Sequence, residues 1–258
     1  MNQKFIIAAA GTVLIGLGAL VFSGQWSGNE AIAANTGDKN WDKSEIESLI
    51  HDYLMDNPEV ILESVNRMQE REQDKAAQAA QSFLQKNRGA IESADAGAFI
   101  AGNPEGDVTI VEFFDYHCGY CKKSLAGLMK TVEKDKNIKL VLREFPVLGP
   151  ESKFAAKAAM AAIEQGKYME LHLEMMEAKG KLSRSRIENM VVSVGMDLIV
   201  FNKAVSNPQY EKVLTANMNL ARGLNINGTP SFVLGDGIHH GMRSGEELRT
   251  LVAEARSN

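Results

Sequence analysis

Apolar and polar residues alternate with three different rhythms along this 258-residue chain. Residues 5–22, FIIAAAGTVLIGLGALVF, form an uncharged apolar run behind Lys4, and the polar stretch ANTGDKNWDK at 34–43 reads as a linker. Ser44 and Glu47 then have capping-box spacing, and Ile46, Leu49, Ile50, Tyr53 and Leu54 recur on one helical face. Asp56-Asn57-Pro58 breaks that pattern, with Asn57 as cap and Pro58 at the first position of a second helix through Val60, Ile61, Leu62, Val65 and Met68. From Gln69 to Lys86 this helix turns polar, with thin apolar contacts from Ala76, Ala79, Ala80, Phe83 and Leu84. The stripe does not keep an a/d heptad beyond two turns, so no regular coiled coil is expected.

From about Gly97 strand texture takes over. VTIVEFF (108–114) and IKLVLREF (138–145) are short β-branched and aromatic runs, the first entered through the turn Asn103-Pro104-Glu105-Gly106. Between them, Lys122 to about Glu133 carries Leu125, Leu128, Met129 and Val132 at helical spacing. This βαβ unit predicts parallel neighbouring strands with a right-handed crossover. Residues 151–222 read as several helices, strands return in PSFVLG and GIHHGMR, and Ser244-Gly245-Glu246-Glu247 opens a last helix. The expected class is α/β. Its segments are 1–33, a helical extension at 34–92, and a domain at 93–258 whose helical insertion covers about 151–222.

Composition narrows the function. An apolar content of 45% supports a packed core, and 28 basic against 33 acidic residues without a basic run point away from nucleic acid as a partner. Lys4, the apolar run and the small-x-small triplet Ala31-Ile32-Ala33 read as a cleaved export signal, with retention as an inner-membrane anchor the alternative. Export places the cysteines in an oxidising compartment.

Both cysteines lie in FFDYHCGYCKK, residues 113–123. A bridge across two residues closes too small a ring to act as a staple. Zinc needs a second ligand pair, which His117, His239 and His240 do not supply, so no metal is assigned. At a strand-to-helix junction, Cys118 faces unsatisfied helix N–H groups that favour a thiolate, and Cys121 is one turn on, placed to resolve a mixed disulfide. Lys122 and Lys123 are expected on a solvated helix face, and His117 at the surface or in a loop. Glu112 shares a strand face with Val108, Ile110 and Phe114. If that face is buried, the carboxyl is a proton carrier for Cys121; otherwise it reaches the surface at a strand edge. A copper(I) chaperone using the same thiols is a rival from another class, which the twelve methionines keep open.

With Gly228-Thr229-Pro230 leading into strand SFVLG, the chain resembles the exported thioredoxin-fold disulfide oxidoreductases of the DsbA superfamily over roughly 97–258. The resemblance implies a thioredoxin fold with an inserted helical subdomain, preceded by an α-helical N-terminal stalk. It implies a cis Pro230 beside Cys118, with Thr229 flanking it where an incoming peptide strand pairs, and Glu112 as the family's buried acid. The redox centre is then the Cys118–Cys121 disulfide, without a cofactor. Gly119-Tyr120 stand where strongly oxidising members carry Pro-His, which favours isomerase or reductase work over a DsbA-type dithiol oxidase. The helical extension is similar to that of the copper-sensitivity suppressor C proteins, implying a homotrimer through residues 44–86. Partners implied are unfolded or misoxidised exported proteins in the periplasm and a membrane redox partner, a DsbD-like reductase with a DsbB-like oxidant as the alternative.

Overall fold

The computed structural model describes residues 41–94 and 97–257. The apolar run at 5–22 and the triplet at 31–33 lie outside the described residues. The chain divides after Pro58 into two units.

The first unit contains helix α1 (Lys43–Asp56). Its capping box is Asp42 with Glu45, not Ser44 with Glu47: Asp42 Oδ1 accepts the Glu45 N–H at 2.8 Å and Glu45 Oε2 accepts the Asp42 N–H at 3.2 Å. A carboxylate caps as well as a serine hydroxyl and adds a favourable interaction with the positive helix end. Asn57, expected to start the next helix, closes this one, its side-chain amide donating to the Tyr53 carbonyl at 2.8 Å. No residue of α1 is buried, and Leu49, Ile50, Tyr53 and Met55 are exposed.

The second unit opens with α2 (Glu59–Glu92), which continues past the expected Lys86. Ile61, Leu62, Val65 and Met68 are exposed, whereas Ala80, Leu84 and Ile91 are buried. Five strands follow in the spatial order β1-β3-β2-β4-β5, with β1 (Phe99–Gly102), β2 (Val108–Phe114), β3 (Ile138–Glu144), β4 (Ser231–Leu234) and β5 (Gly237–His240). β2 and β3 are parallel, as the βαβ pattern predicts, and the other pairings are antiparallel. β1 was not expected: four residues ending at Gly102, whose φ is +70°, are too short to show a period. Helix α3 (Gly119–Asp135) connects β2 to β3. The insertion contains α4 (Pro150–Ile163), α5 (Tyr168–Glu177), α6 (Arg184–Ser193), α7 (Leu198–Ala204) and α8 (Gln209–Gly223); α9 (Gly245–Ser257) closes the fold behind a Ser244/Glu247 capping box.

Because β2 is central, both its faces are buried and its side chains alternate between two cores. Val108, Ile110 and Phe114 pack with α3, α9 and the inserted helices; Val111 and Phe113 pack with Leu84 and Ile91 of α2 and Ala221 of α8. The end of α2 is held by Arg143 of β3, a fully buried cation whose guanidinium donates to the carbonyls of Ala90, Ile91 and Ser93 and to Asn217 Oδ1. Those carbonyls have no partner within the helix, and the arginine supplies one. Among the described residues no helix is long and apolar enough to cross a membrane.

Candidate active site

The site forms where β2 ends and α3 begins. Asp115, the first residue after β2, organises the loop: Oδ1 accepts from the His117 N–H and the Ser152 hydroxyl, both at 2.7 Å, and Oδ2 accepts from the N–H groups of Val147 and Leu148 at 2.9 and 3.0 Å. One carboxylate thus ties the segment before Cys118 to the segment after β3. An Asp accepting an N–H two residues on is a local Asx turn, a signal legible in Asp115-Tyr116-His117.

Cys118 is the N-cap of α3, with extended backbone angles (φ −76°, ψ 112°) and no side-chain cap. Its sulfur is lowered to about 5 by the hydrogen bond from Cys121 foremost, then by Thr229 and by the first-turn N–H groups of Cys121 and Tyr120, against partial burial. When protonated, the thiol donates to the Thr229 carbonyl at 3.2 Å. Cys121 is fully buried, and burial, the hydrogen bond to Cys118 and the charge of Glu112 push its thiol far above the ordinary range. Both thiols are free. One cysteine is therefore poised as a thiolate and the other held as a thiol.

Glu112 lies in the central strand between Leu142 and Phe232, fully buried, and neither carboxyl oxygen has a hydrogen-bond partner. The strand-edge alternative is thereby excluded. Burial first, and the Cys118 charge second, raise its carboxyl to about 8. The Thr229–Pro230 bond is cis. Gly119 and Tyr120 are exposed, and Lys123 sits over the Tyr120 ring at 5.3 Å.

One expectation is corrected. Lys122 is not on a solvated face: its ammonium donates to the carbonyls of Met175, Met176 and Ala178 at 2.7, 3.2 and 2.9 Å, capping the C-terminal end of α5. His117 lies in the loop before α3 and is half-buried there: the Leu182 N–H donates to Nε2 at 3.1 Å and Nδ1 lies 3.1 Å from the Ser152 hydroxyl, which itself donates to Asp115. Nε2 is thus the accepting nitrogen, and a ring proton is placed on Nδ1. Both residues fasten the active-site helix to the insertion.

A buried polar cluster joins residues from separate elements that share no sequence motif. Tyr116 and Tyr168 donate to Glu144 Oε1 at 3.1 and 2.9 Å, and Tyr116 also meets His172 Nδ1 at 3.0 Å. Burial raises Glu144 well above the carboxylate range and, with the charge of Lys122, lowers His172 to about 3, so both are neutral under Phe99, which stacks on Tyr168. His239 and His240 fall on β5, and among the described residues no cluster of three metal-binding side chains occurs.

The thioredoxin family profile matches residues 94–254. The chain belongs to the thioredoxin family. A second profile, the copper resistance protein ScsC N-terminal domain, matches residues 42–75. This protein is thus a DsbA-like thioredoxin-fold oxidoreductase with an ScsC-type N-terminal domain and a CxxC pair at Cys118–Cys121. A thioredoxin-like oxidoreductase from Silicibacter pomeroyi DSS-3 is 40% identical, with 67% of this chain and 99% of that one aligned at a TM-score of 0.65. The catalytic domain of Proteus mirabilis ScsC is 27% identical over 69% of this chain and 99% of that domain, with a TM-score of 0.63. The Na(+)/H(+) antiporter NhaA 1 of Salinispora arenicola is 27% identical over 158 residues, which cover 60% of this chain. The chain spans about a quarter of the length of the curated relatives it matches.

Proposed function

We propose that this oxidoreductase works in the periplasm as a reductase or isomerase of disulfides in exported proteins. The observation that carries the chemistry is the split between a Cys118 thiolate at a helix N-terminus and a buried Cys121 thiol beside an unpartnered Glu112. The Cys118 thiolate attacks a substrate disulfide sulfur, forming a mixed disulfide and releasing one substrate thiolate. That step removes the negative charge which, after burial, raises Glu112. Glu112 therefore falls back towards the carboxylate form just as Cys121 must lose its proton. Cys121 then attacks Cys118 Sγ and the second substrate thiolate leaves. The protein pair is oxidised to a disulfide and the substrate gains two electrons. In isomerisation the substrate's own thiolate attacks first and the protein leaves reduced.

The preference against oxidation rests on Gly119-Tyr120, which stand where strongly oxidising members carry Pro-His and so bring no imidazole between the cysteines. A DsbD-like membrane reductase would recharge such a protein. The exposed apolar residues Leu49 and Ile50 of α1 and Leu62 and Val65 of α2 support assembly through residues 44–86, as a homotrimer. The test is equilibration with glutathione: a potential well below about −120 mV is expected, and one that oxidising would overturn the preference. Thiol trapping in cells should find Cys118 and Cys121 mostly reduced. Copper(I) titration of the reduced protein checks the chaperone rival, which requires tight binding lost in Cys118→Ser.

A further inference from the structure

A groove of about 860 Å³ runs from the active-site loop between α3 and α5. Gly119, the residue after Cys118, lies at its active-site end, and nothing stands within 4 Å of where a Cβ on it would be. Leu125 and Met129 of α3 face Leu173 and Met176 of α5 across it. The two walls are held together by the ammonium of Lys122, one residue beyond Cys121, through its bonds to the α5 carbonyls, so the groove is a fixed feature of the redox site. Its rim is basic: Lys123, Lys179 and Lys181 are exposed there against Glu177. Lys181 has only a 3.8 Å pair with Glu151, its own side chain being 85% exposed. The groove lies on the insertion side of α3, lined by different residues from the Thr229–Pro230 surface.

We infer that this groove takes the substrate polypeptide next to the reacting cysteine, as an extended segment with apolar side chains seated between α3 and α5 and aspartate or glutamate carboxylates at the lysine rim. The inference rests on the disulfide-reducing reading above and adds to it a substrate class. The apolar walls provide burial for side chains of any sequence, and the lysines select by charge, since surface charges act on encounter and choice more than on tight binding. Met129, partly exposed on the α3 wall, suits a surface that must accept varied side chains. A basic segment is disfavoured by the same rim.

The test uses the reduced full-length protein and two synthetic peptides of equal length, each carrying one cysteine as a mixed disulfide with 2-mercaptoethanol. Both have the same apolar residues, flanked in one by Asp and Glu and in the other by Lys. Every rate is divided by that of the same protein on uncharged bis(2-hydroxyethyl) disulfide, which is too small to fill the groove. The acidic peptide should be reduced about tenfold faster than the basic one at low salt, and the ratio should shrink as salt is raised. Lys179→Glu with Lys181→Glu should invert the ratio, and Ala126→Trp, which fills the groove from an exposed position, should slow both peptides relative to the small disulfide. Equal normalised rates for the two peptides, or a ratio unmoved by the double charge reversal, overturn the inference while leaving the redox reading intact. A protein inert towards bis(2-hydroxyethyl) disulfide overturns both.

Discussion

Cys118 and Cys121 belong to one turn of helix, yet one faces the helix N–H groups and the other the core, and this difference in surroundings sets their acidity. The reduced Cys118 should titrate with a midpoint of about 5, read from its thiolate ultraviolet absorbance. A folded-state value below the ordinary thiol value stabilises the reduced fold above the unfolded thiol's pKa, and that stabilisation is lost as pH falls through about 5. A midpoint in the ordinary thiol range would remove the nucleophile from the mechanism. Glu112 has the opposite sign. Its carboxyl is raised to about 8, so wild-type stability is full below the ordinary carboxylate pKa and declines as pH rises towards 8. Glu112→Gln should escape that decline, its advantage growing by at most about 1.4 kcal/mol per pH unit across the window in urea denaturation at fixed pH. The same variant should leave the Cys118 midpoint near 5, where Glu112 is already neutral, and slow release of a mixed disulfide by about ten- to a hundredfold. A variant as stable as wild type at pH 8 that resolves at the wild-type rate would show Glu112 to be a bystander.

The local signals, a CxxC at a strand end and an acid on a hydrophobic strand face, made Cys118, Cys121 and Glu112 legible in the sequence, while Pro230 was placed by resemblance. The burial of the Lys122 ammonium and the anchoring of His117 were not legible because their partners, the carbonyls of Met175 to Ala178 and the Leu182 N–H, lie more than fifty residues away and are brought to them only by the insertion. The polar half of α2 reads equally as part of a stalk or as a segment folded back onto the following domain, and the burial of Leu84 and Ile91 with the grip of Arg143 on the helix end shows the second for its C-terminal part. A cut at residue 92 would strip these from the core, so a truncation meant to remove only the exposed helix must stop before Ala80. The close fit of α2 on α8 gives a direct check. A Cβ on Gly223 would stand 2.4 Å from the Phe83 ring, so Gly223→Ala should cost about 1–3 kcal/mol in urea denaturation. An unchanged midpoint would mean that Phe83 swings clear and that α2 is not tightly docked there.

At the scale of the whole molecule, the exposed apolar side chains argue for self-association. Leu49, Ile50, Tyr53 and Met55 on α1, and Ile61, Leu62, Val65 and Met68 on α2, are each at least 40% exposed in the single chain. Runs of large apolar residues of this size on a soluble surface mark an interface. A polar-flanked helix that buries nothing of its own has little else to hold it folded, since isolated helices of about this length are marginal in water. Association would bury that stripe and place several CxxC sites in one particle, where a substrate released by one site meets another at high effective concentration. Light scattering of the full chain should therefore give a trimer, and Leu49→Glu with Leu62→Glu should give a monomer. If assembly serves isomerisation, that monomer should reduce bis(2-hydroxyethyl) disulfide at a rate per site close to that of the trimer but refold scrambled-disulfide protein several-fold more slowly. A wild-type monomer removes assembly from the mechanism, and equal refolding by the two forms leaves the trimer a structural device without a part in disulfide exchange.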